Sequence, residues 1–269
     1  MPTIADAKIR ALNDAESSEN RIHSDDIAAK YGFTGALVSG VNVFGYLTQP
    51  LVKCYGEHWL TQGMMDVIFL KPAYQGELLT IQTADQPMTG NHRRHHLSSA
   101  VNQQDVLLAR LESWLPQTFP AINQLAYLAS GVGLDTREEI RWELIHLQQA
   151  AASYLWQPGC TDNKSRVDAQ RDESDIYAGE NGLIHPYYLL DACNKALMRM
   201  FVLPAWIHTG SRLTLRRAIR VGQAIDVRAV PIQKWERKGH QFIKLYIAMW
   251  VDEEVALEVE HTAIFKIAS

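Results

Sequence analysis

One stretch of the chain is largely apolar on every side of a predicted helix. Residues 38–55 carry apolar side chains at most positions of a helix, among them Val41, Phe44, Leu47 and Leu51. A helix that is apolar all round is typically buried inside a protein, because a surface helix keeps one polar face. A second helix is predicted at 187–201, where the second half of the chain repeats the plan of the first. The pattern therefore predicts two buried central helices.

Each predicted helix is followed by strand-like runs that end at turn residues. The runs are 64–70, 78–84, 92–101 and 106–115 in the first half, and 207–217, 223–234, 240–251 and 254–267 in the second. In one of them Ile225 and Val227 alternate with Asp226 and Arg228, as expected for a half-buried strand. Each half is therefore predicted to be one long helix followed by four antiparallel strands.

The two halves are related by a single ungapped offset. Leu37 lies over Leu183, 146 positions later, and Gly76 lies over Gly222 with the same offset. Few of the aligned pairs are identical, but they keep one order along most of the chain. The offset predicts a duplicated unit, and internal repeats of this kind decide the fold.

A sheet with a helix on one face leaves its other face and its edges poorly protected. Pairing two units edge to edge into one continuous sheet relieves this problem. We therefore predict an α+β double hotdog, with an N-terminal unit at 1–125 and a C-terminal unit, including a leading linker, at 126–269. The segment 116–137 is predicted to be the crossing linker, and the polar segment 162–175 a solvated loop; the type of 138–156 stays open.

Composition excludes several classes of protein. The 269 residues are 47% hydrophobic and carry a formal net charge of −4, which gives no electrostatic basis for binding nucleic acid. No apolar run is long enough to predict a membrane span, and no signal peptide is predicted at the N-terminus. The three cysteines form no CxxC pair, which favours a reducing, cytoplasmic location.

Short motifs in the first half resemble those of a known family. They are the run 20–25, Asn-Arg-Ile-His-Ser-Asp, then 32–35, Gly-Phe-Thr-Gly, then Gly40, and finally 69–77, Phe-Leu-Lys-Pro-Ala-Tyr-Gln-Gly-Glu. Together they resemble the MaoC-like acyl dehydratase and (R)-specific enoyl-CoA hydratase family, in its fused two-hotdog form. The resemblance implies reversible hydration of a trans-2-enoyl thioester, or dehydration of a 3-hydroxyacyl thioester.

The same resemblance implies a substrate, an oligomeric state and a set of catalytic groups. The substrate would be an acyl-CoA or acyl-carrier-protein thioester, with no metal or redox cofactor and no nucleic acid or membrane partner. The chain would be a monomeric pseudo-dimer or a homodimer. In the family an Asp and a His activate a water and move a proton, while a backbone N–H at the helix start holds the thioester oxygen.

Residue by residue, the resemblance places the catalytic group on His23, Asn20 and Ser18, and the substrate-binding group on Ser39 and Gly40 at the helix start. The near-neutral pKa of a histidine suits it to proton transfer. Each assignment has a structural alternative. His23 can bond nearby backbone, Asn20 can be a turn residue, and Gly40 can serve close helix–sheet packing.

Ser18 departs from the family, which has Asp at this position. A hydroxyl cannot act as a carboxylate base near neutral pH. Glu19, Glu16 or Asp14 could supply the carboxylate if the loop were shifted. The alternatives to a hydratase are therefore a non-catalytic acyl-CoA-binding protein, or a thioesterase on the same scaffold.

The second half lacks the catalytic histidine but has another one. Ala169 stands in the place of His23, whereas His185 occupies the place of Ser39. We expect His185 to line a second, degenerate substrate pocket. The alternative is that it caps a helix whose first turn holds Pro186, a residue suited to that position.

Three further groups of polar residues are not expected to bind a metal. The run 92–96, His-Arg-Arg-His-His, is predicted to be a solvated strand or a CoA-phosphate contact. Glu143 and His146 have no partner motif for a diiron site. The run 235–240 is predicted to be a hairpin tip, with phosphate contact as the alternative.

Overall fold

The structure of the protein is a computed structural model that describes residues 4–15, 18–87, 92–128, 137–150 and 153–268. Its helices are α1 (Asp25–Lys30), α2 (Gly40–Tyr55), α3 (Glu57–Gln62), α4 (Cys160–Gln170) and α5 (Pro186–Met200). Its strands are β1 (Ala7–Arg10), β2 (Met64–Phe69), β3 (Leu78–Asp85), β4 (His92–Val101), β5 (Leu107–Pro116), β6 (Tyr154–Trp156), β7 (Ile207–Leu215), β8 (Ile225–Arg237), β9 (His240–Val251) and β10 (Glu254–Lys266).

The described strands form one antiparallel sheet in the order β1-β3-β4-β5-β2-β7-β10-β9-β8-β6. The two halves meet where β2 pairs with β7, with Met65 opposite Leu213 and Val67 opposite Ser211. The central helices α2 and α5 pack against each other and bury most of their side chains. Edge-to-edge pairing of two units is therefore confirmed, and the fold is an α+β double hotdog.

The internal repeat is visible in the backbone at the start of each central helix. An isolated antiparallel bridge joins Leu37 to Tyr74 in the first half and Leu183 to Arg220 in the second. Both partners are displaced by the offset found in the sequence, and so are the starts of α2 and α5. The boundary between units at 125/126 stays a prediction.

In each half the central helix is followed by four strands, as predicted, and the described residues add one short edge strand before each helix that the sequence did not predict. β1 pairs with β3, and β6 pairs with β8, so the two additional strands lie at opposite edges of the sheet. They have only four and three residues, too few for an alternating pattern to stand out in the sequence.

The predicted solvated loop at 162–175 was wrong for its first part, which belongs to helix α4. Asn163, Val167 and Gln170 are buried on one side of α4. Gln170 packs so closely on α2 that a Cβ atom at Gly45 would collide with it. Tertiary contacts thus support a helix whose sequence is mostly polar and carries little local signal. No helix among the described residues is both long and apolar enough to cross a membrane.

Candidate active site

A cavity of about 230 Å³ lies where the start of α2 faces β7. Four predicted site residues line it, namely Asn20, His23, Ser39 and Gly40. The second half contributes the opposite wall, which includes Asn194, Trp206 and His208. The site is therefore built from both halves of the chain, although the sequence motif lies in only one.

His23 is held in one tautomer by the backbone. Its ring is buried, and its Nδ1 lies 2.7 Å from the carbonyl oxygen of Leu37. A carbonyl can only accept a hydrogen bond, so Nδ1 carries the proton and Nε2 of the neutral ring is basic. Desolvation by burial lowers the pKa of His23, against smaller opposing effects of the Leu37 carbonyl and the Asp14 charge. His23 is therefore neutral and able to accept a proton near neutral pH.

Asn20 connects His23 to the second half. Its Oδ1 accepts from the backbone N–H groups of Ile22 at 3.3 Å and Trp206 at 3.2 Å. Its Nδ2 donates to the Trp206 carbonyl at 3.0 Å and approaches His23 Nε2 at 3.3 Å. Because backbone groups on both sides fix which end of the amide is oxygen, the Nδ2 group must face the histidine.

The start of α2 borders the cavity. Ser39 is the N-cap residue of α2, and its side chain makes no capping hydrogen bond. Gly40 is the first helical residue, and a Cβ atom there would lie 3.2 Å from the ring of Phe69. The first amides of a helix have no acceptor within the helix, and the positive end of its dipole favours negative charge. This end of α2 can therefore stabilise a developing oxyanion.

The charge of Asp14 partly offsets the lowering of the His23 pKa. The carboxylate oxygens of Asp14, however, form hydrogen bonds with residues other than His23. Its Oδ1 accepts from Asn42 at 3.1 Å, and its Oδ2 accepts from the Tyr187 hydroxyl at 2.8 Å. Arg166 lies 3.7 Å from the same Oδ2. Asp14 thus acts on His23 through its charge, while hydrogen bonds hold it among other partners.

Of the other residues considered as carboxylate sources, Glu19 does not supply a carboxylate to the cavity. Glu19 is exposed and forms a salt bridge with Arg137 at 2.8 Å, and Glu16 lies outside the described residues. The Ser18 hydroxyl donates to the Asn20 carbonyl at 3.2 Å and does not line the cavity. None of the described residues that line the cavity is an Asp or a Glu.

His185 has the geometry of a helix cap. Its side chain is fully buried, and its Nδ1 accepts from the Tyr187 N–H at 3.1 Å. Its Nε2 therefore carries the proton and lies 3.3 Å from Asp172 Oδ2. Burial lowers the pKa of His185, opposed by Asp172. His185 therefore caps α5, as the alternative proposed, and it does not line the cavity around His23; its place in a second, degenerate substrate pocket stays a prediction.

The remaining polar groups predicted from the sequence lie away from the cavity. His96 is buried rather than solvated; its Nε2 forms a hydrogen bond with the Tyr55 hydroxyl at 2.7 Å, and its Nδ1 lies 2.9 Å from Asp85 Oδ1. In the run 235–240, Lys238 and Gly239 both have positive φ, which confirms a hairpin turn. Within the described ranges, no group of three or more His, Cys, Asp or Glu has the arrangement to hold a metal ion.

The sequence did not identify the second-half wall of the cavity. Asn194 lies within α5, and Trp206 precedes β7, so neither belongs to a motif. Their proximity to His23 follows from the pairing of the two units across β2 and β7. Asn194 is one of several polar positions of α5, with Asp191, Lys195 and Arg199, so the sequence does not single it out.

Comparison with known proteins identifies the fold. The sequence matches no family model and no curated protein. A MaoC domain dehydratase structure from Chloroflexus aurantiacus has a TM-score of 0.70 and 9% identity, over 100% of this chain and 97% of that one. A Mycobacterium tuberculosis protein with a double hotdog fold gives 0.65 and 10%, over 98% and 96%. An oleoyl thioesterase structure from Lactobacillus plantarum gives 0.57 and 10%, over 97% and 96%.

These similarities confirm at the level of the fold the resemblance found in the sequence. The chain has the double hotdog fold of MaoC-like dehydratases. Since thioesterases share this fold, the reaction must be argued from the site itself.

Proposed function

We propose that the cavity binds the acyl part of an acyl-CoA or acyl-carrier-protein thioester, and that the chain is a hydratase/dehydratase. The reaction would be reversible hydration of a trans-2-enoyl thioester. The observation that supports this proposal is the fixed tautomer of His23. Its Nδ1–H bonds the Leu37 carbonyl, which leaves a basic Nε2 in a largely apolar cavity beside the start of α2.

A single histidine can carry both proton transfers in dehydration. His23 Nε2 removes the proton from the α carbon, and the electron pair moves toward the thioester oxygen, where the Gly40 N–H stabilises it. The resulting imidazolium then gives the proton to the 3-hydroxyl as its C–O bond breaks and water leaves. Hydration is the reverse sequence. Asn20 Nδ2 donates to Nε2 at 3.3 Å and so orients the ring, and this hydrogen bond must open when Nε2 takes the proton from the substrate.

The size and charge of the cavity favour a short acyl group on a phosphate-bearing carrier. An apolar cavity of about 150 Å³ accommodates benzene, and this one has about 230 Å³. Lys71 lines the cavity and is exposed, so its ammonium group can bind a carrier phosphate. We expect Lys71→Ala to raise KM and to leave kcat nearly unchanged.

The test is the loss of enoyl absorbance with crotonyl-CoA and trans-2-hexenoyl-CoA. We expect His23→Ala to lower kcat by at least about a hundredfold, the range for loss of an acid–base group. His58→Ala, at an exposed histidine of α3, is the matched control and should retain activity. Equal rates in the wild type and His23→Ala would contradict the proposal. Release of free thiol would instead identify a thioesterase.

The absence of Asp and Glu from the described cavity lining favours a second candidate, a non-catalytic acyl-thioester-binding protein. This candidate predicts saturable binding of hexanoyl-CoA with no turnover of any enoyl or hydroxyacyl thioester. It also predicts that His23→Ala leaves the affinity nearly unchanged. The same absorbance and binding measurements therefore separate the two candidates.

A further inference from the structure

A second depression lies on the outer face of the sheet, which faces away from the core. It is a groove of about 260 Å³ that crosses β2, β7, β10 and β9. Asp66 belongs to its lining and lies between Met65 and Val67, whose side chains are buried in the core, so the groove is on the opposite face. Three strand spacings correspond to about 14 Å, and this length suits an extended ligand.

The groove exists because the residues at its centre are small. A Cβ atom at Gly210 would lie 2.6 Å from the carbonyl oxygen of Val67 on the neighbouring strand, so a larger residue would displace β2. Gly210 pairs with Thr262, and the corresponding pair in the first half is Met64 with Trp114. The duplicated halves therefore differ at this point, since two large side chains in one half stand in place of Gly and Thr in the other.

The groove adjoins the cavity around His23 at the end of the β2–β7 pairing. That pairing ends at Ile68 and Gly210, and the next residues beyond it, Phe69 and Thr209, both line the cavity. Thr209 also lines the groove, because a bulge in the pairing of β7 with β10 leaves it between the two sites. The strands therefore part where a ligand can pass from the cavity to the outer face.

Charged side chains line the groove in opposite pairs. Nitrogen atoms of Arg212 and Lys244 lie 3.1 Å and 3.2 Å from carboxylate oxygens of Asp66 and Glu260, respectively. Because each cation already has a carboxylate beside it, a free phosphate would gain little here. An alkyl chain would exclude water from charged groups without replacing its hydrogen bonds. A neutral ligand with amide and hydroxyl groups both donates and accepts, so it matches this lining.

We propose that the groove binds the pantetheine arm of the thioester substrate. This inference rests on the proposed function, because it takes the acyl group to occupy the cavity. The arm is a neutral chain with amide and hydroxyl groups, and it is common to acyl-CoA and acyl-carrier-protein thioesters. The first half would thus hold the base and the oxyanion site, and the second half would recognise the carrier of the acyl group.

The test compares three thioesters of one acyl group by calorimetry: hexanoyl-CoA, hexanoyl-pantetheine and hexanoyl-N-acetylcysteamine. The last has only the end of the arm that adjoins the sulfur, and the second has the whole arm without phosphate or nucleotide. We expect the wild type to bind hexanoyl-pantetheine about tenfold more tightly than hexanoyl-N-acetylcysteamine, which corresponds to one or two net hydrogen bonds. Lys71→Ala, at the proposed phosphate contact, should weaken the binding of hexanoyl-CoA only.

Thr262→Trp should fill the groove with the residue that stands at the corresponding position of the first half. We expect it to reduce the affinity for hexanoyl-pantetheine to that for hexanoyl-N-acetylcysteamine. An unchanged affinity for the latter would show that the fold and the cavity are intact. Ser99→Trp is the matched control and should keep the preference, because Ser99 lies in the same row and on the same face of the sheet but outside the groove.

The outcomes separate this inference from the proposed function. If the wild type binds hexanoyl-pantetheine and hexanoyl-N-acetylcysteamine equally, the groove does not bind the arm, while binding of the acyl group stands. The same holds if Thr262→Trp keeps the preference or if Ser99→Trp also loses it. If none of the thioesters binds, the proposed function fails as well. A preference that is lost in Thr262→Trp and kept in Ser99→Trp supports the groove as the site of the arm.

Discussion

The side-chain amide of Asn20 pairs with the backbone of Trp206 across 186 positions of sequence, accepting from its N–H at 3.2 Å and donating to its carbonyl at 3.0 Å. The same amide lies 3.3 Å from His23 Nε2. One side chain from the first-half motif therefore sets the position of the candidate base and of a cavity wall from the second half. Residues of both units therefore line the cavity.

We expect Asn20→Ala to affect both stability and catalysis. It leaves the buried N–H and carbonyl of Trp206 without partners, which should lower the free energy of unfolding by about 3 kcal/mol. It also frees the His23 ring, which should lower kcat by about tenfold or more because proton transfer depends on orientation. Urea unfolding and steady-state kinetics measure the two effects.

Asn163→Ala is the matched control for this variant. Asn163 is fully buried and bonds the carbonyls of Tyr177 and Leu183, but it does not line the cavity. We expect a similar loss of stability, with kcat kept in the fraction that is folded. If Asn163→Ala lowered kcat as much as Asn20→Ala, the effect of Asn20 would be structural only.

Ser18 provides a test of the sequence motif against the structure. Its hydroxyl bonds the carbonyl of Asn20 and does not line the cavity. We expect Ser18→Ala and Ser18→Asp each to change kcat/KM by no more than about twofold, as for most substitutions away from a site. A large gain of enoyl-CoA hydration in Ser18→Asp would instead show that this position reaches the catalytic centre.

The features of the fold that the sequence predicted are those with long or repeated patterns. The all-round apolar stretch predicted α2, and the repeat with its constant offset predicted α5. Strands β1 and β6 and helix α4 were missed because tertiary pairing, rather than local pattern, forms them. Short or charged segments carry little information about the surface on which they will pack.

The candidate site could be predicted only in part for a similar reason. The motif of one half brought Asn20, His23, Ser39 and Gly40 to one cavity, because these residues are close in sequence to the start of α2. The opposite wall depends on how two units align across β2 and β7. A residue such as Trp206 has no local signal for a role that arises from that alignment.

His185 offers a variant whose effect should be confined to stability. Its Nδ1 caps α5, and its ring is fully buried. We expect His185→Ala to lower the free energy of unfolding by about 3 kcal/mol, from loss of the cap and of buried volume. His185→Asn should recover about 1 kcal/mol, since Asn also serves as an N-cap. Both variants should keep the wild-type KM for enoyl-CoA, and a raised KM would place His185 in the substrate site.

The pH dependence of catalysis follows from the burial of His23. Since desolvation lowers its pKa below the usual value of about 6.5, the ring stays neutral and basic to lower pH than an exposed histidine would. We expect kcat/KM for hydration to be constant from pH 8 to below 6.5 and to fall only at more acidic pH. The measurement is the pH profile of kcat/KM, and a fall centred above pH 6.5 would contradict a neutral His23.

Stability should also depend on pH, through a second buried histidine. His261 is fully buried in β10 beside Ser211, and desolvation lowers its pKa to about 3. In the unfolded chain its pKa is about 6.5. Between these values the unfolded state binds a proton that the folded state does not, so the free energy of unfolding decreases as pH falls below 6.5.

At pH 5 this histidine alone should lower the free energy of unfolding by about 2 kcal/mol relative to pH 7.5, because one pKa unit corresponds to about 1.4 kcal/mol. His208, whose pKa burial holds well below the usual value, adds an effect of the same sign. Urea unfolding at both pH values should show a smaller decrease for His261→Asn than for the wild type. The exposed His58→Ala should keep the full decrease. Equal decreases in His261→Asn and the wild type would mean that His261 takes up a proton while the protein is folded.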